Sequence, residues 1–190
     1  MCLMTNGEHD MTFVNRILYG GGIVLDLTRW VVFASVLIVV VNTFWLTFFI
    51  VDGLSMEPNL HNRELVLLQK SAYRGDGLPQ RGEVAVVRYP GDPEHKRYVK
   101  RVVGMPGEKV KISDGRVYIN GTKLKELYIP ATVITEPEGE WQIGTGQYFL
   151  MGDNRPNSND SRYFGPVEKR FLVGKALAIM FPRTSTIETK

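Results

Sequence analysis

Residues 98–108 read YVKRVVGMPGE. In an extended chain successive side chains point to opposite faces. Lys100 then shares a face with Tyr98 and Val102, and Arg101 shares the other with Val99 and Val103. One of the two adjacent cations is therefore directed toward the interior or a cleft. A lysine held among apolar groups loses hydration of its charged form, so its pKa falls and it can act as a base near neutral pH. An arginine cannot do this.

Working outward, the same period-2 texture recurs in LVLL (65–68), EVAVVRY (83–89), KVKI (109–112), RVYI (116–119), QYFLMG (147–152) and ALAIMF (176–181). Gly, Pro, Asn and Asp separate these runs at intervals of about ten residues, the spacing of an all-β domain. Asn120-Gly121, between RVYI and TKL, is a two-residue hairpin signal because both residues tolerate positive φ. Residues 71–82 and 90–97 read as exposed loops. No stretch after residue 51 has the period of an amphipathic helix. The fold class expected is mainly β: a mostly antiparallel, barrel-like domain.

Ahead of it, Val31 to Val51 reads VVFASVLIVVVNTFWLTFFIV, uncharged, with Asn42, Thr43 and Thr47 as the polar interruptions. A helix of that length rises roughly 31 Å, the thickness of a bilayer core. Trp30 at one end and Trp45 and Phe49 toward the other suit interfacial zones. The apolar core is longer than that of a cleavable signal, and no A-x-A-like pattern follows it, so an uncleaved anchor is expected. The expected organisation is a tail over 1–30, a transmembrane helix over 31–51 and a β-rich domain over 52–190. Arg16 and Arg29 before the span balance Arg63 and Lys70 after it, so charge does not orient it.

Among 190 residues, 23 basic and 20 acidic ones leave a net charge of +3 with no long block of either sign, which gives no footprint for nucleic acid. The single cysteine, Cys2, excludes an intramolecular disulfide and a thiolate metal cluster. Carboxylates show no metal-ligand spacing, and no glycine-rich phosphate loop follows a strand. The three histidines, His9, His61 and His95, sit in polar or charged surroundings, which leaves a Ser-His-Asp triad without support.

Three stretches carry polar residues unusual for β-rich filler: GLSMEPNL (53–60), YVKRVVGMPGE (98–108) and GDNRPNSNDSRYFGPV (152–167). Taken singly, Ser55 is a loop serine, Lys100 an exposed strand charge, and 153–162 a turn held by Asx-type bonds and an Asp160–Arg162 pair. Taken together, an apolar span followed at once by G-x-S-M-x-P, then RGEVAVVRYP, YVKRVVGMPGE and GDNRPNSNDSR-x-x-GPV resembles type I signal peptidase of the bacterial kind. The resemblance covers most of residues 30–182, in the family's order and spacing.

That resemblance implies a membrane-anchored serine endopeptidase that removes signal peptides from exported preproteins. Ser55 would be the nucleophile and Lys100 the general base that later returns the proton to the leaving amine. Ser158 would orient the lysine, and Asp160 and Arg162 would brace the site. Met56, Leu60, Tyr98 and Val99 would line shallow pockets for the small residues of an A-x-A-like sequence, with the substrate added as a strand. Asp153 and Asn154 would be structural. No cofactor or metal is implied; the partners would be preproteins and membrane lipid, not nucleic acid. The location would be the plasma membrane, single-pass, with the catalytic domain on the extracytoplasmic side. Two departures stand out: Gly53 replaces a serine that in some members helps bind the oxyanion, and Asn59 replaces a frequent threonine. The chain also lacks the large inserted cap of longer members, like the compact Gram-positive form.

Other readings stay open on sequence alone. A repressor-type Ser/Lys protease would carry a DNA-binding domain where this chain has its apolar run, and the endoplasmic-reticulum form usually has histidine at the lysine position. An organellar inner-membrane peptidase would use the same dyad. From another class, a membrane-tethered β-domain could bind peptides without catalysis.

Overall fold

A computed structural model of the chain describes residues 26–41, 43, 45–89, 96–182 and 185–187. The expected tail over 1–30 lies mostly outside the described residues, as do His9, His95, Asn42 and most of the 90–97 loop. The chain divides into two compact units, Met1–Thr43 and Phe44–Lys190.

In the first unit the described residues 26–41 form one helix, α1. Its apolar side chains are exposed around the helix, among them Trp30, Val31, Phe33, Leu37, Ile38 and Val39. Asp26 and Arg29 pair one turn apart near its start, 3.5 Å between charged atoms. Among the described residues no helix is long and apolar enough to cross a membrane.

The expectation of one helix over 31–51 is corrected at its C-terminal end, where Leu46–Ile50 is a β-strand, β1. A continuous apolar run fits helix or strand, and LTFFI is aromatic and β-branched. As a strand it pairs its backbone with β2 (Leu65–Gln69), in register from Leu46↔Gln69 to Ile50↔Leu65. Phe49 then packs on the core while Phe48 and Ile50 point outward.

The second unit is mainly β, as expected. Its further strands are β3 (Val84–Arg88), β4 (Arg97–Gly104), β5 (Lys109–Ser113), β6 (Arg116–Ile119), β7 (Thr122–Lys123), β8 (Gly139–Gln142), β9 (Gln147–Met151), β10 (Val167–Glu168), β11 (Leu172–Phe181) and β12 (Ser185–Thr186). One sheet runs β1-β2-β11-β3-β4-β9-β10, with β12 beside β11, and a smaller one runs β7-β6-β5-β8. Every pairing is antiparallel. Each run picked out by alternation is a strand, and ALAIMF extends back to Leu172.

The hairpin at Asn120-Gly121 forms as expected: both residues have positive φ (50° and 83°), and Ile119 pairs with Thr122. Asp114-Gly115 makes a second turn of the same kind between β5 and β6. The stretch 71–82 departs from a purely exposed loop. It opens with a 3₁₀ turn, Lys70–Tyr73, that buries Tyr73, whose hydroxyl donates to Glu83 Oε2 at 3.0 Å.

Three apolar clusters fill the unit. Val66, Leu68, Val84, Val86 and Val99 make one; Ala85, Val87, Val102, Tyr148 and Leu150 another; Val103, Val110, Ile112, Val117 and Phe149 the third. Strand β4 contributes to all three, because its neighbours cover both of its faces. A side chain on either face of β4 is therefore inside, which is what buries the Lys100-Arg101 pair.

Candidate active site

Lys100 stands on β4 opposite Ala85 of β3. It is 2% exposed, and its ammonium donates to Ser55 Oγ at 2.7 Å. Burial is the main cause of a pKa lowered to about 8, with the Arg162 charge adding to it and the charges of Asp160 and Asp153 opposing it. Those two carboxylates cannot restore an ordinary lysine, because each is already bound to its own arginine. When the amine is neutral, the same 2.7 Å contact lets the serine hydroxyl donate to nitrogen, the geometry a general base requires.

Ser55 lies in the turn-rich stretch between β1 and β2, in a segment held from the far end of the chain. The Asn154 N–H donates to the Ser55 carbonyl at 3.1 Å, and Asn154 Nδ2 donates to the Leu54 carbonyl at 3.0 Å. The Ser55 N–H itself has no acceptor among the described residues. Gly53 has φ +103°, and its N–H donates to Asn62 Oδ1 at 3.1 Å. A serine at 53 would be strained in that backbone, and the amide there is already engaged.

Asp160 and Arg162 form a fully buried bidentate pair, Nε to Oδ1 at 2.7 Å and Nη2 to Oδ2 at 2.8 Å. Asp160 also accepts from the Gly152 N–H at 2.9 Å and from the Arg162 N–H at 3.2 Å, capping the short helix α2 (Ser161–Phe164). Arg162 further donates to the carbonyls of Glu136, Arg155 and Ser158. The 152–162 loop is thus tied to itself around one carboxylate. Ser158 Oγ is buried with no hydrogen-bond partner among the described residues, so one hydroxyl is kept uncommitted near the Ser55 backbone.

A Cβ added at Gly152 would collide with Ser158 Oγ and with the Ser55 carbonyl oxygen. Gly152→Ala should therefore push the Ser55 backbone and the Ser158 hydroxyl apart. The expected outcome is a stability loss of about 1–3 kcal/mol and a larger proportional loss of turnover, read by a thermal melt and peptide cleavage on one preparation.

The sequence reading missed the role of Arg101, which is also 2% exposed. It donates to both Asp153 oxygens, at 2.8 and 2.6 Å, and to the Gly82 carbonyl at 2.7 Å, and its guanidinium lies 4.2 Å from the centre of the Tyr128 ring. Asn59 Nδ2 donates to Asp153 Oδ2 at 2.8 Å and to the Tyr128 carbonyl at 2.6 Å. Tyr128 in turn donates to Glu126, which pairs with the buried Arg155, and Arg155 donates to Thr135 Oγ1 at 2.7 Å. Asp153 thus anchors Arg101, and Asn154 clamps the Leu54–Ser55 segment.

The four expected pocket residues are not all brought together. Met56, Leu60 and Val99 lie in one apolar cluster, all nearly inaccessible, while Tyr98 packs against a different cluster on the other face of β4. His61 is exposed, with Nδ1 3.4 Å from Glu64 Oε1.

This constellation can be set against known proteins. Residues 24–181 match the family described as "Signal peptidase, peptidase S26". The chain belongs to that family. Signal peptidase I of Bacillus amyloliquefaciens is 36% identical, over 88% of this chain and 93% of the relative. Signal peptidase I S of Bacillus subtilis (strain 168) is 35% identical, over 84% and 90% respectively. Among solved structures, a signal peptidase I of Enterococcus faecalis V583 aligns with a TM-score of 0.46 at 32% identity, over 52% of this chain and 96% of that one. Within the signal peptidase match fall all three polar stretches, the Lys100–Ser55 contact and both buried arginine–carboxylate pairs.

Proposed function

We propose that the chain is a signal peptidase I that removes N-terminal signal peptides from exported preproteins at the membrane surface, using Ser55 and Lys100. The observation that carries this reading is the 2.7 Å contact between Lys100 Nζ and Ser55 Oγ, with the lysine buried and its pKa near 8. As Ser55 Oγ forms its bond to the scissile carbonyl carbon, its proton passes to Lys100. The negative oxygen of the tetrahedral intermediate is met by the Ser55 N–H; the Gly53 amide, held by Asn62, is not a second donor. The carbon–nitrogen bond then breaks and Lys100 gives its proton to the leaving amine. Water attacks the acyl ester with Lys100 taking its proton, and Ser55 Oγ recovers a proton as the ester opens.

Ser158 makes no bond to the lysine among the described residues, but its buried hydroxyl is uncommitted and is assigned to orient the amine during turnover; the Asp160–Arg162 pair fixes the loop that carries it. Met56, Leu60 and Val99 form the apolar floor next to Ser55 that favours small side chains of the A-x-A kind; Tyr98, on the other face of β4, stands apart from it.

Membrane attachment is supported by two separate features. The helix α1 exposes apolar side chains all round, which costs least in lipid. In the second unit, Phe48, Ile50 and Phe181 are each at least 60% exposed and follow the register Phe48↔Leu67, Ile50↔Leu65 and Phe181↔Leu65, so the first strands present an apolar strip. The anchor is the apolar stretch that includes α1, and the β domain stands on the extracytoplasmic side of the plasma membrane.

The test is cleavage of a preprotein by the detergent-solubilised chain. A single cut after the A-x-A site is expected, absent in Ser55→Ala; an uncut preprotein refutes the reading. Because the neutral amine is the active form, the rate should rise with pH through about 8 and level off above it. A rate still climbing steeply above the ordinary lysine value of about 10.4 would remove Lys100 as the base.

A further inference from the structure

Away from Ser55, the 3₁₀ turn after β2, the end of β3 and the segment leading into β11 enclose an open recess of about 560 Å³. Lys70, Arg74, Arg88, Lys169 and Arg170 line it over a floor that includes Tyr73 and Phe171, and no carboxylate is among its lining residues. Five cations at one recess exceed the net charge of +3 of the whole chain. The polar groups beneath it are satisfied without them: Tyr73 donates to Glu83, and Glu83 pairs with Lys175 at 2.6 Å. Lys169 donates to the Gly75 carbonyl at 2.7 Å, tying two walls together. Arg170 meets Glu168 in an exposed pair of the kind that contributes little.

We propose that this recess binds the phosphate of an anionic phospholipid headgroup. A free phosphate would offer the same charge to the recess, but the surroundings favour a lipid. The Lys70 N–H donates to the Trp45 carbonyl at 2.8 Å, so the rim of the recess is joined to the start of β1. From there the exposed apolar strip of Phe48 and Ile50 runs on. Exposed apolar side chains on the strand that starts at the rim, together with a cluster of Lys and Arg, match the acyl–headgroup boundary, where each cation adds about 1 kcal/mol of attraction to anionic lipid. The recess also exceeds what one phosphate fills and leaves room for a glycerol headgroup above the aromatic floor. This inference rests on the membrane reading given above.

The experiment titrates the purified full chain in detergent with dihexanoyl phosphatidylglycerol, dihexanoyl phosphatidylcholine and inorganic phosphate, by calorimetry. Phosphatidylglycerol should bind at least about tenfold more tightly than either of the others. The exposed triple variant Arg74→Gln/Arg88→Gln/Arg170→Gln should lose at least about tenfold of that affinity, and Arg88→Gln alone about fivefold, with wild-type melting and wild-type kcat/KM on a soluble signal-peptide analogue. Unchanged affinity in the variants, or equal binding of phosphatidylcholine, overturns the site. Inorganic phosphate binding as tightly as phosphatidylglycerol overturns the lipid source. The membrane reading is checked separately by alkaline carbonate extraction of cell membranes. Release of the wild-type chain there would refute anchoring, whereas retention with an unchanged variant titration refutes only the headgroup site.

Discussion

Lys100→Met is expected to lower turnover by about 10²–10⁴-fold, the usual contribution of a positioned acid–base group, while leaving the melting temperature unchanged or higher. If Lys100 is the base proposed above, the two effects separate, because its buried amine then serves catalysis at a cost to folding. Its depressed pKa states that the folded environment disfavours the charged form. Between about 8 and the unfolded lysine value the unfolded chain holds the extra proton, so this group's contribution to stability grows as pH rises through that window and is unfavourable below it. Methionine, similar in length and uncharged, removes that penalty and leaves Ser55, which is half-buried, to solvent. The pair of measurements is preprotein cleavage and a melt at neutral pH. Loss of activity together with a large loss of stability would mean that Lys100 is a structural residue; retained activity would mean that the base lies elsewhere.

The largest stability effect is expected at Asp153→Ala. The variant leaves Arg101 charged, 2% exposed and without its bidentate partner. Breaking a buried pair on one side costs about 3–5 kcal/mol, which at this chain length lowers the melting temperature by roughly 6–20 °C. Arg101 keeps its bond to Gly82 and its place over the Tyr128 ring, which favours the lower half of that range. Replacing both partners, Arg101→Leu with Asp153→Ala, should recover part of the loss, since no charge then remains buried. Activity should fall in both variants, because Asp153 also accepts from Asn59, and its neighbour Asn154 holds the nucleophile turn. A single variant melting within a degree or two of wild type would show that this network does not hold the turn.

Residues showed through the sequence wherever one physical rule acted alone. Alternation placed β3, β4, β5 and β6, and positive-φ chemistry placed the turn at Asn120-Gly121. The Asp160–Arg162 pair was legible because its members are two residues apart. The reading failed where two rules competed. Leu46–Ile50 is apolar enough for a helix, and only pairing with β2, some twenty residues on, makes it a strand. The strand Gly139–Gln142 buries so little that no periodicity marks it. Arg101 was misjudged for a different reason: alternation predicts one inward cation only if one face of the strand meets water, and β4 is covered on both. Its partner stands 52 residues away, beyond any local pattern. Gly53 was recognised as a departure, but that its amide is spent on Asn62 is a fact of the folded turn.

The clamp on the nucleophile spans a great length of chain. Ser55 and Leu54 are held by Asn154, a hundred residues later, and Asn154 sits in a loop closed by Asp160 and Arg162. A chain emerging from the ribosome exposes its serine early and its lysine soon after, but the turn that aligns them waits for Asn154. On the proposed function, chemistry is thereby deferred until the 152–162 loop is in place. On the proposed reading, a chain that stops short of Asn154 carries Ser55 and Lys100 without the clamp that sets one against the other.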